Sequence, residues 1–368
     1  MYVLEGKAPE LKAQTIARRN EINFGSSQAK PASVARTRYN GIQKECIQLL
    51  NLMGVPTLQS ETEAEALCAA LNQRQVVDGC ITKDGDTFLY GASRVFRNLS
   101  CDPSQFTYEE YEMDRIVTRL NLSRDKLIVL AILLGCDYLP EGVPGVKKDA
   151  ALRILSTCSN GRAVELLKSW MFESSDSKEF TVPPRPPHCS KCKHPGSLRG
   201  HVKSGCPLCK SVSECRQSEE ACRCDWHANE SHYEENLVKS KVSQMDGEVI
   251  QAILDEFFNG VSAQSETIKS VAHWQMPDVR KFTELAVNKL KWNPKYAAEK
   301  ILPVLTRWVV TYGRESEEKT GVKLPVVPMQ TIKKRIRRGC PMFEVEWKFR
   351  QTFETVQDFP DTFISLEP

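Results

Sequence analysis

Three short acidic clusters, each at the edge of an apolar segment, constrain this chain more than any other feature: Glu63 with Glu65, Asp84 with Asp86, and Asp137. Residues 76–81 read Val-Val-Asp-Gly-Cys-Ile, a mostly apolar run suited to a buried strand, and Asp84-Gly85-Asp86 follows within three residues. Open α/β sheets take their ligands just beyond the carboxyl ends of such strands. After Glu63, the residues Ala64, Ala66, Leu67, Cys68, Ala70 and Leu71 recur at roughly the 3.6-residue helical spacing, and Thr62 with Glu65 fits a capping box. Asp137 comes shortly after the apolar run Leu127–Leu134 and is followed by Gly- and Pro-rich sequence. All three clusters are predicted to open onto one sheet edge.

Magnesium and manganese prefer oxygen ligands, and two such ions about 3.5–4 Å apart can hold both the attacking and the leaving oxygen of a phosphodiester. Several carboxylates are needed for charge balance as well as geometry. Taken singly, each acid also has an ordinary role: Glu65 can cap its helix, and Asp84-Gly85-Asp86 can be a simple turn.

Four ordered blocks carry a family resemblance. Glu5-Gly-Lys-Ala-Pro-Glu-Leu-Lys12, Glu61-Thr-Glu-Ala-Glu-Ala66, Val77-Asp-Gly-Cys-Ile-Thr-Lys-Asp-Gly-Asp-Thr-Phe-Leu-Tyr-Gly91 and Leu134-Gly-Cys-Asp-Tyr-Leu-Pro-Glu-Gly-Val-Pro-Gly145 resemble the flap endonuclease/XPG nuclease superfamily. The Asp84-Gly-Asp-Thr-Phe-Leu-Tyr spelling, a cysteine-rich insert and the C-terminal segment are most similar to the eukaryotic Gen-type Holliday junction resolvases. The resemblance implies an α/β, PIN-like nuclease core with a central sheet flanked by helices. It also implies magnesium-dependent endonuclease activity at Holliday junctions and 5′ flaps in DNA recombination and repair. Glu5, Glu63 and Glu65 would surround one of two ions, and Asp84, Asp86 and Asp137 the other. Water would attack in line, with no covalent enzyme intermediate. Two molecules would act on one four-way junction, whose twofold symmetry suits a homodimer.

Gly142, Val143, Pro144, Gly145 and Val146, followed by Lys147, Lys148 and a helical pattern at Ala150, Ala151, Ile154 and Leu155, read as a turn entering a helix. Backbone N–H groups there can hold a DNA phosphate. By resemblance this is a helix-two-turn-helix gripping duplex DNA, with a potassium ion; the plain alternative is a loop between two core helices. Lys147 stands where relatives often carry glycine, which bears on how tight the turn is.

The resemblance begins at the family's second acidic strand. A first strand bearing another metal-binding Asp is therefore expected to be missing, leaving the sheet without an interior strand and the site without one ligand. The competing expectation is a branched-DNA-binding protein with impaired catalysis.

Net charge is only +3, from 50 basic and 47 acidic residues in 368, so nucleic-acid contacts must come from local patches. One candidate covers residues 7–44, where Lys7, Lys12, Arg18, Arg19, Lys30, Arg36, Arg38 and Lys44 outnumber the acids and Gly25–Pro31 interrupts. It matches the family's arch in position, and a solvated helix face is the alternative. No apolar run approaches the ~18 residues of a membrane span, and the first residues lack the charged start and hydrophobic core expected of a signal peptide. A nuclear protein is expected, with the cytoplasm as a second compartment and no membrane contact.

In such a reducing compartment the 14 cysteines read as ligands or core residues. Cys46, Cys68, Cys80, Cys101, Cys136 and Cys158 are scattered and read as small buried side chains. Cys189-Ser-Lys-Cys192 and Cys206-Pro-Leu-Cys209 form two knuckles suited to a four-thiolate structural zinc, and Cys215, Cys222, Cys224 and His227 could complete a second. Five of the six histidines, His188, His194, His201, His227 and His232, fall in or beside this stretch. A partly disordered loop is the alternative.

A proline-rich break over 181–187 precedes the insert. Beyond it, His232–Lys241 has helical composition, and Val249–Phe258 and Ala297–Val310 are amphipathic, the latter with a break expected at Pro303. Met329–Lys348 alternates around a Gly-containing turn as a β-hairpin resembling the start of a chromodomain, with Lys333, Lys334, Arg335, Arg337 and Arg338 placed to meet phosphates or to serve as a nuclear localisation patch. The expected organisation is a nuclease core with the arch over 1–122, the internal region with the helix-two-turn-helix over 123–180, and the zinc insert over 181–232. C-terminal nuclease helices follow over 233–320 and a chromodomain-like β module over 321–368.

Overall fold

The computed structural model describes residues 1–24, 32–102, 106–171, 183, 185–210, 215, 217, 222, 224–259, 273–337, 339–350 and 361–367. The break at Gly25–Pro31 with Lys30, the start of the proline-rich segment at Thr181 and Val182, and Arg338 lie outside them. The chain divides into two compact units, one made of 1–111 with 260–368 and the other of 112–259.

The first unit opens with β1 (Tyr2–Leu4), α1 (Ala13–Phe24), α2 (Ala32–Leu52), β2 (Thr57–Gln59), α3 (Ala64–Gln73), β3 (Cys80–Ile81), α4 (Asp86–Leu89), β4 (Arg94–Cys101) and β5 (Phe106–Glu112). A single central sheet was expected, but the strands form two: β1 pairs in parallel with β2, and β3 pairs in parallel with β4, which also joins β5. The buried strand expected over 76–81 shrinks to Cys80–Ile81, and Ile81 is 68% exposed. The cause is local. Val76 N donates to Leu71 O at 3.0 Å and the Asn72 amide donates to Val77 O at 3.2 Å, so the backbone that would extend the strand closes the end of α3 instead. The buried Asn72 also accepts from Ser93 N at 2.8 Å, tying this corner to the start of β4.

The scattered cysteines are less buried than expected. Cys80 is buried, Cys68, Cys136 and Cys158 are half-buried, and Cys46 is exposed. Cys46 sits on α2 beside the exposed Lys44 and Glu45, where a small side chain needs no cover.

The second unit is helical: α5 (Met113–Leu120), α6 (Arg124–Leu134), α7 (Lys148–Thr157), α8 (Ala163–Met171), α9 (Leu198–Ser204), α10 (Asp225–Ala228), α11 (Glu230–Val242) and α12 (Gly247–Asn259). Helix α6 buries Ile128, Val129, Ile132 and Leu133 together with Lys126, whose ammonium donates to Asn121 O at 3.0 Å. Asp125 in its first turn accepts from Ala163 N at 2.9 Å, fixing the start of α8. Arg153 on α7 grips Glu234 on α11 through two hydrogen bonds of 2.9 and 2.5 Å. The amphipathic reading of α12 holds, with Ile250, Ile253, Leu254 and Phe257 buried along one face.

The first unit resumes with α13 (Val279–Leu290), α14 (Pro294–Trp308), a π-helical turn (Val309–Gly313), α15 (Arg314–Thr320), β6 (Val326–Arg337), β7 (Cys340–Phe349) and β8 (Thr362–Glu367). The break expected at Pro303 is not there: α14 runs through it. The lost N–H frees the carbonyl of Glu299, an exposed residue whose backbone can bond water, so the proline is tolerated. The predicted hairpin is present as antiparallel β6 and β7, extended by β8. Val326 and Trp347 of this sheet share one core with Phe282, Ala286, Ile301 and Leu305 of the helices. The same core takes in Leu52 and Met53, and Gln275 N donates to Gly54 O at 2.8 Å. Gly54 has φ +70° and lies so close to Gln275 O that a Cβ would fall 1.9 Å from it, which restricts this corner to glycine.

Candidate metal centre

The acidic site is built where β1 and β2 end. Past the paired strands the two segments stay zipped: Ser60 N donates to Leu4 O at 2.9 Å, Gly6 N to Thr62 O at 2.8 Å and Lys7 N to Glu61 O at 3.0 Å. A Cβ on Gly6 would meet Ser60 O at 2.3 Å, so only glycine allows this approach. The zipper carries Glu5 against the start of α3, where its Oε2 accepts from Ala64 N at 3.2 Å. The N-cap of α3 is thus Glu63 rather than the expected Thr62. It makes no side-chain cap bond, Thr62 O accepts from Gly6 N, and the Glu5 carboxylate just past β1 serves the helix end.

Glu5, Glu63 and Glu65 each place a carboxylate oxygen within 4.8 Å of the other two. Glu63 is 4% exposed; its Oε2 accepts from Lys12 Nζ at 2.6 Å, and its Oε1 is buried without a hydrogen-bond partner. Lys12 was grouped with the basic residues facing DNA, yet it is largely buried against this site. Burial, then the charge of Glu63, pushes the Glu5 carboxyl up to about 7, and Lys12 only partly opposes this. Glu65 is raised too, chiefly by burial, with the charges of Asp84 and Glu63 adding. Three carboxylates facing one ammonium, with an orphaned oxygen among them, fit a divalent cation.

A pH dependence follows. Because Glu5 binds its proton more tightly folded than unfolded, its stabilising contribution is complete below about pH 4.5 and is lost as pH rises through about 7. An added divalent ion needs deprotonated ligands, so magnesium is expected to raise the melting temperature more at pH 8 than at pH 6. Glu5→Gln should flatten both trends in thermal melts with and without the ion.

Asp84 lies at an exposed turn where its Oδ1 accepts from Asp86 N at 3.0 Å, an arrangement that opens α4. Its charge reaches Glu65. Asp86 is half-buried in the first turn of α4. Asp137 belongs to the other unit, where Cys136 and Leu139 bridge around it.

In the 142–148 segment, Gly142 and Gly145 have φ of +58° and +72°, and α7 follows with Lys147 at its N-cap. Lys147 is extended, at φ −101°, so its side chain costs the turn nothing. The N–H groups of Gly142, Val143 and Val146 bond Leu139 O, Leu133 O and Val143 O, so they stabilise the turn rather than standing free for phosphate. Val143 is buried, while Pro144, Gly145, Lys147 and Lys148 are exposed. On β6, Arg335 and Lys333 pair with Glu344 across the hairpin at 2.9 and 3.5 Å, and Lys334 lies over Phe343.

The cysteine-rich insert partitions differently from its sequence spacing. Instead of Cys189 and Cys192 with Cys206 and Cys209, and Cys215 with Cys222, Cys224 and His227, three four-residue groups converge. They are Cys189, Cys192, His201 and Cys215; Cys192, His194, Cys206 and Cys209; and His188, Cys222, Cys224 and His227, each with ligand atoms within 4.8 Å of one another. The folding back of α9 brings His201 to the first knuckle, which linear spacing cannot reveal. Histidines flanking the knuckles were the available signal for His188, His194 and His201.

Comparison with known proteins agrees with this architecture. The XPG I-region family matches residues 54–137, a stretch holding Glu63, Glu65, Asp84, Asp86 and Asp137. The chain is 37% identical to human Flap endonuclease GEN homolog 1, over 95% of this chain and 38% of that protein. It is 32% identical to Drosophila melanogaster Flap endonuclease GEN, over 94% of this chain and 48% of that one. It spans about two fifths to one half of the length of these relatives. The structure of human GEN1 in complex with Holliday junction DNA superposes with a TM-score of 0.66 at 27% identity, over 98% of this chain and 74% of that chain. The Rad2 catalytic core in complex with DNA substrate, at TM-score 0.52 and 22% identity over 82% of this chain and 77% of that one, shares the α/β nuclease fold.

Fold and matched region together place the chain in the flap endonuclease/XPG nuclease superfamily. Within it, the chain belongs to the Gen-type group.

Proposed function

We propose that this protein is a structure-selective, magnesium-dependent endodeoxyribonuclease acting on branched DNA, with Holliday junctions and 5′ flaps as substrates in recombination and repair. The observation that carries the proposal is the convergence of the Glu5, Glu63 and Glu65 carboxylates, one of which, Glu63, also keeps a buried Oε1 without a hydrogen-bond partner. Relatives bearing the flap endonuclease GEN name and a structural neighbour bound to a Holliday junction support it.

Glu5, Glu63 and Glu65 would hold one ion, and Asp84 and Asp86 would serve a second, to which the family resemblance alone adds Asp137; manganese can substitute. The ions supply charge neutralisation and Lewis-acid polarisation of the scissile phosphate. The chain's own part is preorganisation. Lys12 fixes Glu63, the start of α3 fixes Glu5, and the raised affinity of Glu5 and Glu65 for protons sets the site to load as pH rises.

DNA would meet the exposed face of the 142–148 turn at Pro144, Gly145, Lys147 and Lys148, with a potassium ion on its backbone oxygens. A homodimer would span a four-way junction. Along the chain, 1–122 would be the nuclease core, 123–180 the DNA-binding region, 181–232 a structural zinc element, 233–320 the C-terminal nuclease helices and 321–368 a chromodomain-like module. The site of action would be the nucleus. Among the described residues no helix is long and apolar enough to cross a membrane.

The test is incision of labelled 5′-flap and four-way-junction DNA with magnesium and with chelator. Cleavage in magnesium that Asp84→Asn abolishes supports the enzyme. Tight junction binding at low salt without cleavage, in magnesium or manganese, would replace it with a binding protein.

A further inference from the structure

We propose that the segment from His188 to His227 is a three-metal module in which the Cys192 thiolate bridges two zinc ions. This rests on the structural-zinc reading of the insert and refines its stoichiometry and ligand set.

The interior of this segment is built of thiols. Cys189, Cys192, Cys206 and Cys215 are its buried core, with Cys209 packed against them, whereas Leu198, Val202 and Leu208 are exposed, Leu208 by 57%. A segment that turns its aliphatic side chains outward and its thiols inward gains little from apolar burial. Metal–thiolate bonds can supply that missing core.

In a tetrahedral zinc site with bonds of about 2.0–2.3 Å, ligand atoms stand roughly 3.3–3.8 Å apart. His201 Nδ1 lies 3.5 Å from Cys192 Sγ and 3.3 Å from Cys215 Sγ; His194 Nδ1 lies 3.2 Å from Cys209 Sγ and 3.6 Å from Cys206 Sγ. In the third group, Cys224 Sγ is 3.5 Å from His188 Nε2 and 3.3 Å from His227 Nδ1. The other ring nitrogens of His201 and His188 meet Pro195 O at 2.8 Å and Pro186 O at 2.6 Å, leaving Nδ1 of His201 and Nε2 of His188 unprotonated and turned to the sulfurs.

The backbone agrees. The residue after each knuckle, Lys193 and Lys210, is left-handed at φ +61° and +52°, and Cys209 N points to Cys206 Sγ at 3.4 Å. Lysine adopts this conformation at a cost, which the closed knuckle offsets.

Counting ligands gives the bridge. Cys189, His201 and Cys215 complete one site, and His194, Cys206 and Cys209 the other, only if Cys192 serves both. Five thiolates and two neutral imidazoles then balance two divalent ions to a net −1. His188, Cys222, Cys224 and His227 form a separate neutral site. There, Arg185 Nη2 lies 3.0 Å from His227 Nε2. Ligation through Nδ1 protonates Nε2, so that contact must open, and this ion should leave first under chelation.

The experiment is metal counting on the full chain purified with zinc and without chelator, by atomic emission and native mass spectrometry, alongside cadmium-113 NMR after exchange. Three ions per chain are expected, with two of three cadmium signals split by coupling through the shared sulfur. His227→Ala should lower the count by one and Cys192→Ala by two. Two ions, retained in both His194→Ala and His201→Ala, would overturn the bridge and keep structural zinc. No bound metal would overturn both. Flap cleavage by the same preparations reports on the nuclease reading separately.

Discussion

Glu63→Gln is expected to lower magnesium-dependent incision of a 5′ flap by about 10²–10³-fold while leaving the metal-free chain at least as thermally stable as the parent. Both halves come from the same geometry. Glu63 contributes a buried oxygen with no protein partner, which is where a cation gains most, and it adds to the repulsion that raises Glu5 and Glu65. The amide removes that charge, so Glu5 should titrate nearer its ordinary value and Lys12 still faces two carboxylates. Incision kinetics and melting curves of parent and variant check it. A variant that melts lower yet cuts normally would assign Glu63 a purely structural role.

Trp347→Ala is expected to cost about 3–5 kcal/mol and to destabilise helices and sheet together. The indole is 1% exposed, packs with the α13 and α14 side chains, and donates to Ser365 Oγ at 2.8 Å, which in turn donates to Glu367 Oε1. Truncation opens a cavity and leaves a buried hydroxyl short of one partner. Urea denaturation followed by circular dichroism at helix and strand wavelengths is the check. Loss of the strand signal alone, with the helical transition unmoved, would mean the terminal sheet does not share the core.

Elements whose fate depends on their own periodicity were legible from the residues: α12 from its 250, 253, 254 and 257 spacing, α7 from Ala151, Ile154 and Leu155, and the β6–β7 hairpin from alternation around Gly339. What escaped was decided by distant partners. Asn72 captures Val77 and shortens a strand that composition alone favours. The cap of α3 comes from Glu5, 59 residues earlier in the chain, so no local capping rule could find it. Lys12 reads as one more basic residue until the fold lays it against Glu63. His201 joins Cys192 and Cys215 only after a helix turns the chain back.

Glu5, Glu63 and Glu65 are expected to form a divalent-cation site. Anomalous scattering from crystals of the chain soaked in millimolar manganese tests it most directly. A manganese peak within bonding distance of these three carboxylates, about 2.0–2.3 Å from their oxygens, is the predicted result. An empty acidic cluster at saturating manganese, with Glu63 still held by Lys12 alone, would contradict it.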